Sequence, residues 1–408
     1  MTSVYEFRVV SPETWERPYE FFAALRREAP VFYSPELDAY IISRYDDIVQ
    51  VEMQPEVFSS HIATTGARRK PTPEMREIIS QMWRMVPTLL HADPPDHTRQ
   101  RQVAQRAFAR RLARMEPKVR ALVNELIDSF IDEGQVEFVA RFAIPLPVTV
   151  ITAVFNFPTE LIPKVKEWTD ASLHRLGALV SEEEDVAMLR SLLDMQRYLF
   201  ERIQERRAHP VEGDLISEIV HAQPDGRPFS DEELIFMLQQ LLVAGNDTTT
   251  RLLTHAMRIL IEHPQEMAAL YADPSLIPNF LEEVLRLEPS IRGLFRVTTR
   301  DTELHGVKIP AGSKVWLLWA AANRDESKFP DPDRFDMHRP NAREHLAFGY
   351  GIHHCLGAPL ARLEARVAYE ELLKRLRNLR FAEGNDFSHE PNILFNGLNA
   401  LYIAFDAA

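Results

Sequence analysis

Cysteine is almost missing from this chain: of 408 residues only Cys355 is one. An intrachain disulfide is thereby excluded, and a reducing cytoplasm is the expected location. Glycine is scarce as well, at 14 residues, which leans the balance toward helix. No run of eighteen apolar residues occurs, and the start, Met1-Thr2-Ser3-Val4-Tyr5-Glu6-Phe7-Arg8, has no apolar core of signal-peptide type, so no membrane anchor is expected. Acids outnumber bases, giving a formal charge of −13 that argues against general nucleic-acid binding. Internal repeats, low-complexity tracts and Gly/Ser linkers are absent. One domain over residues 1–408 is expected, although the length alone would allow two.

What is present reads as mainly α with small β-sheets. Strands are expected around Pro30–Arg44, then mostly helices to about Pro289. A turn pair at Gly306–Gly312, a helix from about Ala358 to Leu376 and a C-terminal hairpin around Ile393–Phe405 follow. From Ser230, which has capping-box spacing to Glu233, to His263-Pro264 the pattern predicts about 33 helical residues, roughly 50 Å. Its centre, Ala244-Gly245-Asn246-Asp247-Thr248-Thr249-Thr250, is a run of poor helix formers, a local cost that points to a role there. A threonine back-bonding in an ordinary kinked helix is the plainer alternative.

Cys355 lies in Phe348-Gly349-Tyr350-Gly351-Ile352-His353-His354-Cys355-Leu356-Gly357, a glycine-bracketed turn ahead of an amphipathic helix. The N-terminal end of that helix would favour thiolate over thiol, and the glycines would let backbone approach a flat ligand. A metal ligand is one reading. A buried structural cysteine and a nucleophile paired with His353 or His354 are the others.

The pattern Phe-x-x-Gly-x-His-x-Cys-x-Gly, followed by Leu360-Ala361-Arg362, resembles the haem-binding loop of the cytochrome P-450 superfamily. The resemblance implies the cytochrome P-450 fold over nearly the whole chain and haem b (iron protoporphyrin IX) as cofactor. It also implies Cys355 as axial iron ligand, with Phe348 and Gly357 as cofactor neighbours and O2 as co-substrate. Thiolate ligation favours O–O cleavage. The stretch Ala244–Thr248 matches the family's Ala-Gly-x-Asp-Thr element, which implies an opened helical turn, Thr248 as hydrogen-bond donor in oxygen activation and Asp247 as proton relay.

Glu283 and Arg286, at i and i+3, would make a surface ion pair on their own spacing. The resemblance instead implies a buried triad with a later arginine, Arg339 in preference to Arg334. Four residues match the family's propionate partners: His97 and Arg101, four apart after Asp93-Pro94-Pro95, with Arg296 and His353.

From His97 to Arg120 the chain holds eight Lys or Arg and one acid, Glu116. A solvated helix face is the ordinary reading. The functional one is a docking patch for an acidic electron donor, flanked by Arg362 and Arg366. The chain is too short for a fused reductase, and no Gly-x-Gly-x-x-Gly follows a strand. Separate ferredoxin and ferredoxin reductase are therefore expected, with the chain itself a monomer.

The expected activity is insertion of one oxygen atom from O2 into an apolar small molecule, with a peroxide-driven peroxygenase and a non-enzymatic haem sensor or recruitment domain as rivals. Pocket walls are expected from Ile62–Leu90, Trp168–Leu192, Gln240–Ala244, Ile291–Leu294 and Ile393–Phe395. Gln240, Val243, Ala244, Ile291, Arg292, Leu294, Leu394 and Phe395 are the named candidates, with Met82, Trp83 and Met85 beside them. Arg292 among apolar neighbours needs a partner: a haem propionate, a nearby carboxylate or surface water is the ordinary reading, and a substrate carboxylate the functional one.

Overall fold

In the computed structural model, which describes residues 2–16, 18–64, 71–175, 181–389 and 392–408, helices carry most of the chain and the strands are short. The strands are β1 (Val31–Ser34), β2 (Ala39–Ile42), β3 (Phe58–Ser59), β4 (Gln135–Glu137), β5 (Leu294–Thr298), β6 (Thr302–Leu304), β7 (Val307–Ile309), β8 (Lys314–Leu317), β9 (Leu376–Phe381) and β10 (Tyr402–Ala407). The helices that position the candidate site are α1 (Tyr45–Glu52), α2 (Asp96–Leu112), α3 (Ile162–His174), α4 (Glu182–Ala208), α5 (Asp231–Ala244), α6 (Asp247–Glu262), α7 (Ile277–Leu287), α8 (Trp319–Ala322) and α9 (Ala358–Arg375). Among the described residues no helix is long and apolar enough to cross a membrane.

The chain divides into two compact units, each built from discontinuous segments. The first comprises Met1–Ile62, Val119–Leu146 and Thr248–Ala408, the second Ala63–Lys118 and Pro147–Asp247.

In the first unit, five strands form a sheet in the order β1-β2-β8-β5-β3, with β2 and β8 parallel and the other pairs antiparallel. Its centre is aromatic: Trp316 of β8, fully buried, stacks on Phe295 of β5 at 5.6 Å. Entry into β5 requires glycine, because a Cβ at Gly293 would stand 2.0 Å from the Leu317 carbonyl oxygen. The strand therefore runs close against β8, which fixes where Arg292 and Arg296 leave the backbone. A second sheet orders β4-β10-β9, and β6 with β7 makes a hairpin. Tyr369 of α9 donates its hydroxyl to the Leu253 carbonyl of α6 at 2.7 Å and packs on Phe280 of α7, tying three helices together.

In the second unit, α4 and α5 both start in capping boxes, Ser181 with Glu184 and Ser230 with Glu233, which satisfy donors that a helix end leaves open. Trp168 of α3 donates its indole N–H to Asp194 of α4 at 3.0 Å. Met75, Ile78, Val186, Leu189 and Leu193 form an apolar cluster with Met82 at its edge, so Met82 serves packing. Trp83 packs on Phe200, and Met85 is exposed. Residues 65–70 and 176–180 of the expected pocket segments lie outside the described residues.

Two expectations about elements are corrected. The helix expected from Ser230 to His263 is interrupted: α5 ends at Ala244 and α6 begins at Asp247. Polar groups at the gap are held by partners outside the helix. Asn246 donates its amide to Thr169 Oγ1 at 2.8 Å, and the Thr248 carbonyl accepts the Ser290 hydroxyl at 2.7 Å. The expected hairpin at Ile393–Phe405 is also absent. β10 pairs with β9 and β4, while Phe395 and Leu398 make single bridges to Ile291 and His389. An asparagine-rich turn, Asn392 to Asn399, breaks the alternation a hairpin needs.

Candidate active site

Backbone bonds close the cysteine loop before any ligand is considered. Gly349 N–H donates to the Leu346 carbonyl at 2.8 Å, Cys355 N–H to Phe348 at 2.8 Å and His354 N–H to Gly351 at 3.1 Å. Gly349 and Gly351 sit at φ +67° and +64°, where a side chain would strain the backbone. Gly357 is the N-cap of α9, and a Cβ there would lie 3.7 Å from Cys355 Sγ. The thiol is thus carried beside the first turn of an 18-residue helix, where the positive dipole end favours the thiolate. Arg362 stacks its guanidinium 4.6 Å over the Phe348 ring and pairs with Glu282, which braces the loop from the helix side.

The first unit carries further candidates. Arg296 of β5 is 3 % exposed, gives Nη1 to the Phe295 carbonyl and holds Nη2 3.8 Å from Glu52 Oε1. His353 meets Ser60 Oγ at 2.9 Å. Thr248 stands in the first turn of α6, and its neighbours Thr250 and Thr254 spend their hydroxyls on the carbonyls of Ala143 and Thr250. Glu283 is bound by Arg286 at 2.7 Å and by Arg339 at 3.0 Å, all three side chains buried. Arg334 is exposed and pairs with Asp336.

The second unit carries the others. His97 and Arg101 both rise from α2. Burial pushes His97 down to about 4, with the nearby Arg101 charge adding to it, so the ring is neutral at pH 7. Gln240 spends its amide on the 88–91 turn, accepting Leu90 N–H at 3.3 Å and meeting His91 Nδ1 at 3.0 Å. Val243 is half-buried and Ala244 exposed on the last turn of α5, with Asp247 opening α6.

Several sequence expectations change here. Arg292 is 2 % exposed and directs Nη1 to the carbonyls of Asn392 and Phe395, and Nη2 to the Trp15 carbonyl and Asn396 Oδ1. Four acceptors, three backbone carbonyls and one side-chain amide, take up the four terminal N–H bonds, so the guanidinium is committed to protein, a partner that none of the expected alternatives named. It instead anchors the turn that carries Leu394 and Phe395. Ile291 bridges to Phe395, and Leu294 is buried in β5.

The basic run is likewise partly structural. Arg99 pairs with Glu233 and stacks on Phe229, Arg111 donates to the Ala153 carbonyl, and Arg120 pairs with Glu370 and Glu371. Arg362 and Arg366 also pair with acids, Glu282 and Glu370. Exposed cations of the run are Arg106, Arg110, Arg114 and Lys118.

Glu52, Trp319 and Ser60 were missed from sequence. The signal for Glu52 was available, because it falls on the apolar stripe of α1 with Ile48 and Val51, where an acid is out of place.

The family described as Cytochrome P450 matches residues 187–396, just over half the chain. This chain is a cytochrome P450. It is 37% identical over 368 residues to cytochrome P450 107B1 of Saccharopolyspora erythraea, covering 90% of this chain and 89% of that one. With the cytochrome P450 monooxygenase PikC of Streptomyces venezuelae it shares 35% over 395 residues, covering 95% and 90%. Among solved structures, cytochrome P450 CREJ in complex with (4-ethylphenyl) dihydrogen phosphate superimposes with a TM-score of 0.92 at 30% identity, over 99% of this chain and all of that one. The fold is therefore the mainly helical cytochrome P450 fold with small sheets, and the chain is a haem-dependent monooxygenase that uses O2. A sole cysteine beside a helix N-terminus, glycine-lined backbone and buried cations fit an anionic flat group with a thiolate ligand.

Proposed function

We propose that one catalytic domain spanning residues 1–408 binds haem b through Cys355 and hydroxylates an apolar small molecule with electrons from a separate ferredoxin and its reductase in the cytoplasm. The observation that carries this reading is the Cys355 loop, closed by the 2.8 Å bond to the Phe348 carbonyl at the head of α9. In the first unit, Arg296 and His353 are the candidate cationic and N–H partners of a propionate; in the second, His97 and Arg101 are. Phe348 and Gly357 flank the sulfur.

Thiolate-ligated haem supplies O2 binding and O–O cleavage. The overall step consumes O2, two electrons and two protons: one oxygen atom enters a substrate C–H bond to give C–OH, the other leaves as water. The protein's share is proton control. Thr248 holds a proton by its hydroxyl at the opened turn, and the Asp247 carboxylate beside it relays protons from solvent. In the first unit, Ile291, Leu294, Leu394 and Phe395 are the candidate apolar surface for the substrate, with Arg292 holding the turn that carries Leu394 and Phe395; in the second, Val243 and Ala244 are, with Gln240 tying their helix to the 88–91 turn. Arg106, Arg110, Arg114 and Lys118 form the cationic surface for an acidic electron donor.

The test is turnover with reduced ferredoxin under labelled O2 across a panel of apolar compounds chosen by their haem spectral shift. One labelled oxygen atom per product molecule supports the reading. Product formed only with added hydrogen peroxide, or none from any spectrally active compound, contradicts it.

A further inference from the structure

The carboxylate of Glu52 lies beside the cysteine loop and has no part in the roles assigned above. It closes α1 with its side chain 1% exposed, accepts the Trp319 indole N–H of α8 at 3.0 Å and lies 3.8 Å from Arg296 Nη2 of β5. One loop glycine presses on the same residue: a Cβ at Gly351 would stand 2.9 Å from the Glu52 carbonyl oxygen. Four elements, α1, β5, α8 and the cysteine loop, thus converge on one acid.

A leucine of similar volume would fill this place without the cost of desolvating a charge. Burial pushes the Glu52 carboxyl up to about 7. The Arg296 charge, the Trp319 indole and the Tyr350 backbone N–H pull it the other way, and Arg296 is the charged group acting on it. Charged and neutral forms therefore coexist near neutral pH. Each ionisation changes how much of the Arg296 charge reaches anything else that Arg296 faces.

We propose that Glu52 is a positioning residue that holds Arg296 in place and meters its charge toward a haem propionate. The proposal rests on the reading of Arg296 as a propionate partner. Glu52 acts on the cofactor through Arg296, while its bond to Trp319 and the close approach of Gly351 to its backbone keep the cysteine loop in register with β5.

The experiment follows haem transfer from the purified holoenzyme to excess apomyoglobin for wild type, Glu52→Gln, Arg296→Leu and the double variant. Glutamine keeps the volume and the acceptor for Trp319 but never ionises. Glu52→Gln should lose haem about five-fold faster, Arg296→Leu faster still, and the double variant no faster than Arg296→Leu. Multiplying effects would show that Glu52 acts independently of Arg296 and would overturn the proposal. If Arg296→Leu speeds transfer while Glu52→Gln matches wild type, this inference falls and the propionate reading stands. A wild-type rate in Arg296→Leu removes both. A second readout is the haem midpoint potential, which should fall from pH 6 to pH 8 in wild type as Glu52 ionises and offsets Arg296, and fall less in Glu52→Gln. Identical profiles would contradict the proposal. Should Glu52→Gln fail to retain haem, Glu52→Asp, which keeps the charge one methylene back, should recover it; failure there too would assign Glu52 to packing.

Discussion

Glu283 and Arg286 face each other with no exposed side-chain surface on either, Nε to Oε2 at 2.7 Å and Nη2 to Oε1 at 2.8 Å. Arg339 adds a second guanidinium to Glu283, and Arg286 Nη1 ties the pair to the carbonyls of Asn323 and Pro332. One carboxylate thus links α7 to the irregular segment ahead of the cysteine loop. Removing one partner strands a buried charge, which costs about 3–5 kcal/mol. Glu283→Ala and Arg286→Ala should each lower the unfolding free energy measured with denaturant by that amount and yield protein with little haem, whereas Arg334→Ala, at an exposed pair, should shift stability by less than about 1 kcal/mol.

A neighbouring buried acid gives the protein an acid-sensitive joint. Burial would raise Glu282, but hydrogen bonds from His345 and Arg362, with the Arg362 charge, outweigh it and hold the carboxyl at about 2. Burial lowers His345, and its Nδ1 accepts the Ala347 N–H, which leaves Nε2–H to donate to Glu282. A carboxyl held low stabilises fully above its unfolded value near 4.5 and loses that contribution as pH falls toward 2. Wild type should lose about 3 kcal/mol more than Glu282→Gln over that window, measured by urea unfolding at pH 6 and at successive steps below pH 4.5.

Arg292 tests whether the pocket reads acids. Because its terminal nitrogens are held by Asn392, Phe395, Trp15 and Asn396, Arg292→Leu should weaken binding of acidic ligands and of their neutral amides alike, and should lower stability by about 2–4 kcal/mol as buried carbonyls lose their donor. Titrations of matched acid and amide pairs by the haem spectral shift check this. A selective loss for acids would return Arg292 to the recognition site.

The opened turn between α5 and α6 makes a claim on coupling. Thr248→Ala should keep consuming reductant while releasing more hydrogen peroxide and less product, and Asp247→Asn should lower turnover by about ten-fold or more. Peroxide yield per electron separates the two. Wild-type rate and coupling in both variants would remove these residues from proton delivery.

Much of this was legible in the sequence because it rests on local rules. The Cys355 loop was announced by glycines, two of which prove to have positive φ, the start of α5 by its capping box, and the weakness at Gly245-Asn246 by poor helix formers. What escaped depends on partners distant in the chain. Nothing near Arg292 tells that Asn392 and Phe395 will supply its acceptors, and nothing near Arg99 predicts Glu233. The C-terminal strand was misassigned for the same reason, since β10 finds β4 some 265 residues upstream, with Tyr402 opposite Glu137. Glu52 is the intermediate case, an acid on an apolar stripe whose meaning appears only once Arg296 and Trp319 are beside it.

The central claim is that Cys355 ligates the haem, and the carbon monoxide spectrum of the reduced protein tests it most directly. Wild type should give the red-shifted band of thiolate-ligated haem. Cys355→Ala, which leaves the Phe348 carbonyl bond to the backbone N–H intact, should lose that band. An unchanged spectrum in Cys355→Ala would contradict the account.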